Sequence, residues 1–271
     1  MKLIYFILLF LSSFYAASKS PKKTGARVGG LGEITTNLND GYSLFFNPAE
    51  ITHQHQAILV SSYENRFFIP ELSTTSIGTI LPLKKHMAAG IGFLRFGGDL
   101  YHEQLMSFSF GHEIDKTGIG LRADIFQSQA IDQHPFYTIF LNVGGITQVH
   151  PHVSCSAYIS QLSPSLFTKQ NQGDYTTSMV LGIAYKPYAS ILILTELEKQ
   201  IQHPSTFRVA TEYNPVSYFF IRLGMCQSPF YFSGGCGIHG KHLAIDISSI
   251  YHFSSSLGFV HQLSLIYQWK K

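Results

Sequence analysis

Charged side chains in the second half of the chain recur at even spacings within segments that are otherwise apolar. Glu196 and Glu198 are two residues apart, Arg208 and Glu212 are four apart, and Arg222 follows in a third segment. Successive side chains of a β-strand point to opposite faces, so each set would share one face. On neighbouring strands opposite charges can pair. Two interpretations remain open: a structural lattice of ion pairs, or the lining of a charge-selective pore.

An earlier segment shows the same alternation. Arg122 and Asp124 lie on one face, whereas Leu121, Ala123 and Ile125 lie on the other. A polar face opposite an apolar face is the pattern of strands that separate a polar interior from lipid. The charges that we expect in that interior, the lumen, are Arg122, Asp124, Glu196, Glu198, Arg208, Glu212 and Arg222.

Extended segments must position these residues. The chain from residue 56 to residue 271 contains about fourteen such segments. Tight joints, such as Lys84–His86 and Pro187–Tyr188, alternate with longer polar joints, such as Glu64–Ser73 and Gln161–Asp174. Short turns at one end and longer loops at the other are typical of transmembrane barrels. The sequence therefore predicts an all-β fold, a transmembrane antiparallel β-barrel of about 14 strands.

The composition agrees with a barrel in a membrane. Charged residues make up 13% of the chain, against about 25% in ordinary soluble domains. No internal apolar run is long enough for a transmembrane helix, so strands would have to meet the lipid. The net charge of +3 is small and dispersed, which gives no sign of nucleic-acid binding. The partners expected on these grounds are outer-membrane lipids.

The first residues have the features of an export signal. Lys2 is followed by the apolar run Leu3–Leu11, and small residues at Ala16 and Ser18 suit a signal peptidase. We therefore expect residues 1–18 to be a cleaved signal peptide and the mature protein to lie in a bacterial outer membrane. The three cysteines, Cys155, Cys226 and Cys236, are not expected to form a disulfide framework.

Aromatic residues gather near the predicted strand ends. Such rings favour the headgroup level on both sides of a bilayer, so they predict two girdles. One girdle would contain Tyr185, Tyr188, Tyr213, Tyr218, Tyr267 and Trp269. The other would contain Tyr101, Phe136, Tyr137, Tyr175, Phe230 and Tyr231.

Other chemistry is faint. The pairs His53/His55 and His150/His152 could each place two rings on one strand face, but two ligands do not complete a metal site. No Ser/His/Asp or Cys/His set stands in a motif that activates a nucleophile. We expect no metal, no cofactor and no enzymatic activity.

The segment before the first strand carries a resemblance to a known family. It contains Thr24–Glu33, then Asn39–Gly41 and Phe45–Ile51; near the other terminus stands Leu257–Leu265. These stretches resemble the ends of the FadL-like barrels, transporters of long-chain fatty acids, and look closest to the PorV/PorQ branch associated with type IX secretion. The motif residues are Gly25, Ala26, Arg27, Gly30, Gly32, Asp40, Asn47, Pro48 and Ala49.

The resemblance implies that residues 19–55 fold back into the barrel as a plug or hatch and that residues 56–271 form the barrel. It also implies two functions. The first is an accessory component of protein secretion or surface attachment, with secretion-machinery proteins as partners. The alternative is a passive transporter for hydrophobic or small solutes, with a hydrophobic ligand. The short outward loops favour the first over a deep ligand pocket.

Overall fold

The described part of the chain contains fourteen antiparallel strands. The computed structural model describes residues 22–162, 176–201, 203–253 and 258–269, so the predicted signal peptide lies outside the described residues. The strands, numbered β1 to β14 in chain order, span Ile58–Arg66, Ile69–Pro82, Met87–Gly97, Tyr101–Ile114, Thr117–Ala130, Phe136–His150, Val153–Leu162, Ser178–Tyr188, Ile191–Gln200, Thr206–Val216, Phe219–Cys226, Tyr231–His239, Leu243–His252 and Phe259–Gln268.

Each strand pairs with its neighbours in sequence, and β1 also pairs with β14. The sheet is therefore a closed barrel, which leaves no strand edge unpaired. The expected fold class is confirmed. We call the end with the Gly98–Leu100 and Ile131–Pro135 connections the loop end, and the opposite end, with the Asp115–Lys116 and Ala189–Ser190 connections, the turn end.

Side chains alternate between the two faces of the wall as the sequence predicts. In β13, Ile245 and Ile247 are exposed on the outside, whereas Asp246 and Ser248 are buried inside. The exposed face carries large apolar residues around the whole barrel, which is the surface that lipid covers. No helix among the described residues is long and apolar enough to cross a membrane.

The first connection departs from the sequence-based expectation. The predicted polar loop Glu64–Ser73 is mostly strand, because β1 runs to Arg66 and β2 begins at Ile69. The charges that indicated a loop are satisfied inside the barrel, where Arg66 Nε donates to Glu64 Oε1 at 2.6 Å. Pairing of the two strands shifts register between Asn65 and Arg66, which accommodates the tight hairpin.

Most of the predicted girdle residues are exposed at the strand ends, among them Tyr188 and Trp269. Tyr231 is different, since it is 2% exposed and points into the lumen. Its hydroxyl donates to Glu33 Oε2 at 2.8 Å, so a polar partner inside the barrel outweighs a place in the membrane interface. Tyr175 lies outside the described residues.

Residues 22–56, which we call the inner segment, lie inside the barrel. They contain one short helix, α1 (Ala26–Gly30), and two 3-10 helices, Gly41–Phe45 and Glu50–His53. Helix α1 packs on β11–β14, the first 3-10 helix on β1–β4 and the second on β3–β5. Contacts on all sides of the wall mean that this segment fills the lumen.

The inner segment and the wall share one hydrophobic cluster. Leu44 and Phe45 pack among wall residues such as Ile58, Val60 and Ile80. Other wall residues of this cluster, such as Val180 and Leu194, lie on β8 and β9. Buried charges lie on β9–β13 and also on β1, β4 and β5, so apolar and charged surfaces lie side by side in the lumen.

Candidate functional site

Arg27 is the main anchor of the inner segment on the charged wall. Its Nε and Nη2 donate to the two carboxylate oxygens of Glu212, each at 2.8 Å. Its Nη1 donates to Leu38 O at 2.7 Å and to Asp40 Oδ2 at 3.2 Å. Burial alone would lower the pKa of Arg27, but the carboxylates of Glu212 and Asp40 outweigh it and raise that pKa. Arg27 therefore stays charged.

Two wall arginines each bridge two carboxylates. Arg208 Nη1 lies 3.0 Å from Glu196 Oε1 and 2.8 Å from Glu198 Oε2. Arg222 donates to Glu212 Oε2 and to Asp246 Oδ1, both at 2.6 Å. At each bridge one arginine therefore pairs with two carboxylates, so one negative charge is not compensated by the wall. Cations of the inner segment compensate part of this negative charge.

Lys23 supplies part of that positive charge. Its Nζ lies 3.3 Å from Glu198 Oε2 and donates to Glu33 O at 3.0 Å. Burial would raise the pKa of Glu33, but the charges of Lys23 and Arg208 outweigh burial and lower it. The carboxylate of Glu33 is therefore held ionised at the wall.

Glu196 binds the backbone of the inner segment as well as Arg208. Its Oε2 accepts hydrogen bonds from the backbone N–H groups of Thr35 and Thr36, at 2.7 and 3.0 Å. The hydroxyls of both threonines donate to the same oxygen, at 3.0 and 2.9 Å. One carboxylate therefore fixes two consecutive residues against β9.

Glu50 holds a tight turn within the inner segment. Its carboxylate accepts from the backbone N–H groups of Asn37, Leu38 and Asn39, at 2.6, 3.0 and 3.3 Å. Asn37 and Asn39 have φ of 59° and 51°, which asparagine tolerates better than most residues. Burial raises the pKa of Glu50 to about 7, against the opposing effect of the N–H of Asn37 and the hydroxyl of Ser156.

The motif Asn47, Pro48 and Ala49 precedes Glu50 and contacts the opposite wall. Asn47 Oδ1 accepts from the Ala49 N–H at 3.0 Å, and Asn47 Nδ2 donates to Ser156 Oγ at 2.7 Å. Pro48 packs directly on Gly120, where an added Cβ would overlap the proline backbone. The motif therefore forms a turn that packs on the inner face of the wall where Gly120 has no side chain.

A second close approach lies near α1. Gly32 has φ of +67° and sits on Gly224 of β11, where a side chain would overlap the Gly32 backbone. Gly30 packs on Gly235 of β12 at a somewhat greater distance, and Gly25 has φ of +100°. These glycines let the segment touch the strand backbone directly.

Arg122 and Asp124 form a separate pair on β5. The guanidinium Nε lies 2.9 Å from Asp124 Oδ1, and Nη1 donates to Phe46 O at 2.7 Å. Asn142 Nδ2 completes the group by donating to Asp124 Oδ2 at 2.7 Å. This pair therefore holds the middle of the inner segment, away from the Arg27 anchor.

All seven charged residues predicted for the lumen are buried on the inner face, and all contact one another or the inner segment. Ala26, Asn47 and Ala49 of the motif are fully buried, and Asp40 is 8% exposed. The sequence interpretation missed other lumen charges: Glu50, Glu64, Glu103 and Asp246. The sequence could have identified Asp246 as a lumen residue, because it lies between Ile245 and Ile247 in a strand that alternates between apolar and polar residues.

The loop end of the lumen is covered by ion pairs. Lys22 Nζ lies 3.9 Å from Glu103 Oε2 and 3.8 Å from the ring centre of Phe96. Glu64 also accepts a hydrogen bond from Gln262. The buried carboxylates Glu103 and Glu64 therefore both have partners at this end of the lumen.

The turn end opens into a cavity of about 750 Å³. Arg27 and Glu212 line it, together with His53, His55 and His152. Among the described residues, no three His, Cys, Asp or Glu side chains are grouped so that they could hold a metal ion. The Arg27–Glu212 pair therefore lies between an open vestibule and the filled part of the lumen.

Neither a family profile nor a curated protein matches this sequence. Solved structures do match its fold. The CymD monoaromatic hydrocarbon channel aligns with a TM-score of 0.71 and 12% identity, over 92% of this chain and 98% of that chain. The toluene transporter TodX of Pseudomonas putida aligns with a TM-score of 0.69 and 8% identity, over 90% and 97%.

The TM-scores of 0.71 and 0.69 establish a shared fold. Sequence identities of 12% and 8% do not establish a shared activity. The coarser resemblance to FadL-like barrels agrees with both structures, whereas a closer tie to the PorV/PorQ branch finds no support in them. The chain has the fold of the FadL-like outer-membrane barrels.

Proposed function

We propose that this protein is a passive outer-membrane channel for hydrophobic or small solutes, in which the inner segment is the plug. The observation that carries the proposal is the position of Arg27, whose pairing with Glu212 lies between the vestibule and the filled lumen. The segment is held by ion pairs, hydrogen bonds and an apolar cluster, none of which is part of the strand pairing. It can therefore leave without breaking the barrel, because wall closure depends on strand pairing.

The two solved structures support transport over secretion as the function. They are a monoaromatic hydrocarbon channel and a toluene transporter. The first function that we expected from the motif, an accessory role in secretion or surface attachment, has no comparable support. It would require a docking surface for partner proteins, and no contact in the described residues identifies one.

Solute flux tests the proposal directly. We would reconstitute the wild type and a variant lacking residues 22–38 into liposomes and measure swelling with small sugars. The variant should swell clearly faster, because removal of α1 opens the vestibule toward the loop end. Heat-dependent gel mobility shows that both barrels are folded. Equal rates for folded wild type and variant would reject the plug and the channel together.

A further inference from the structure

The charges on the described wall do not balance. Seven buried carboxylates face the lumen: Glu64, Glu103, Asp124, Glu196, Glu198, Glu212 and Asp246. Four guanidinium groups pair with them: Arg66, Arg122, Arg208 and Arg222. Seven negative charges against four positive ones leave an excess of three negative charges. At the turn-end rim, the charges of Glu113 and Asp115 are balanced by those of Lys116 and Lys186.

Three cations of the inner segment meet three of these carboxylates. Lys22 pairs with Glu103, Lys23 with Glu198 and Arg27 with Glu212. The last two carboxylates are those that already share an arginine with a second acid. The inner segment therefore supplies positive charge at the places where the wall lacks it.

The rest of the inner segment does not replace these cations. Residues 39–56 contain Asp40 and Glu50 but no lysine or arginine. When the part that carries the three cations is out of the lumen, the pore wall keeps unpaired carboxylates around a water-filled path. Rings of Asp and Glu in a pore favour cations.

We propose that the opened barrel admits small cationic solutes in preference to anions, with Glu103, Glu198 and Glu212 as the residues that determine this selectivity. The inference rests on the proposed function, because it needs the inner segment to move. It deepens that function by naming a class of solute. Apolar side chains of the lumen, such as those of Ile58, Val60 and Ile80, would then contact the uncharged part of such a solute.

The test is a reversal potential in planar bilayers. The variant that lacks residues 22–38 is placed in a KCl gradient, and the permeability ratio of potassium to chloride is measured. We expect a ratio on the order of fivefold, since one unpaired charge at close range has an effect of this size even in water. The full-length Arg27→Glu variant, which repels Glu212 and Asp40, is a second opened form in case the deletion does not insert.

Neutralising the three carboxylates identifies their role. Glu103→Gln, Glu198→Gln and Glu212→Gln together, in the opened form, should bring the ratio close to one. The matched control is Asp132→Asn, which removes an exposed carboxylate in the β5–β6 connection and should leave the ratio unchanged.

The outcomes separate the two proposals. Raised conductance with a ratio of one or below overturns the cation preference and leaves the channel intact. A ratio that survives the triple substitution also overturns the assignment. Conductance that rises in neither opened form rejects the channel, and the selectivity with it.

Discussion

Arg27 and Glu212 form a two-point ion pair in which both nitrogen–oxygen distances are 2.8 Å. The residues are 185 positions apart in sequence, so the pair joins the inner segment to the far side of the barrel. Bidentate pairing fixes orientation as well as distance. This geometry therefore ties the orientation of α1 to β10.

Arg27→Gln should loosen α1. Removal of one partner of a buried ion pair costs about 3–5 kcal/mol, and we expect the lower end because Arg222 still compensates Glu212. Amide hydrogen exchange in α1 should therefore become about a hundredfold faster. Arg95→Gln, which removes an exposed guanidinium on the outer face, is the control. Unchanged exchange in Arg27→Gln would show that the pair does not anchor the segment.

Glu50 should make the seating of the inner segment depend on pH. Its pKa is raised from 4.5 to about 7 by burial, so the seated segment prefers the protonated acid. Stability from this group is fully present below about pH 4.5 and is lost as pH rises to about 7, by about 3 kcal/mol.

Burial lowers the pKa of His53, so the stability that this residue contributes changes with pH in the opposite direction. It is present at higher pH and is lost as pH falls, because the buried imidazole is neutral. Comparison with Glu50→Gln isolates the carboxyl. The difference in unfolding free energy between wild type and Glu50→Gln should therefore shift against the wild type between pH 5 and pH 8. A difference that stays constant over this range would contradict the assignment.

Gly224→Ala should displace the inner segment. The added Cβ would overlap the backbone of Gly32, which cannot move aside as a flexible side chain could. Gly234→Ala is the matched control on a neighbouring strand, since the nearest atom to its added Cβ lies 3.7 Å away. We expect a lower thermal midpoint on heated gels for Gly224→Ala only. Equal midpoints would mean that the close approach is not needed.

Cysteine labelling tests the orientation of the barrel. In a variant without Cys155, Cys226 and Cys236, a cysteine at Asp99 of the loop end should react with an impermeant maleimide on intact cells. A cysteine at Lys241 of the turn end should react only after lysis. The reverse pattern would invert the orientation that loop lengths imply.

The sequence predicted the strands well because their information is local. Alternation with period two and the turn residues identify β5 or β13 without reference to other strands. The prediction for the first hairpin was wrong because Glu64 and Arg66 were interpreted as loop residues. Glu64 is buried against Gln262, which lies on a strand at the other end of the chain.

The contacts of the lumen were less predictable. The alternation of the strands placed Asp124, Glu196, Glu198 and Glu212 on the lumen face, but it did not say which carboxylate pairs with Arg27, and the structure has Glu212. That choice depends on the path of the inner segment, which follows from fit to Gly120 and Gly224. Glu50 could not be recognised as a turn ligand, because its donors are backbone groups that carry no side-chain signal.

The conductance of single barrels tests directly whether the inner segment closes the lumen. Wild type and the variant that lacks residues 22–38 are compared in planar bilayers at the same salt and voltage. If the inner segment closes the lumen, the variant conducts clearly more current per barrel than the wild type. Equal conductance of two folded barrels would contradict the account, because the lumen would then be closed by its own wall.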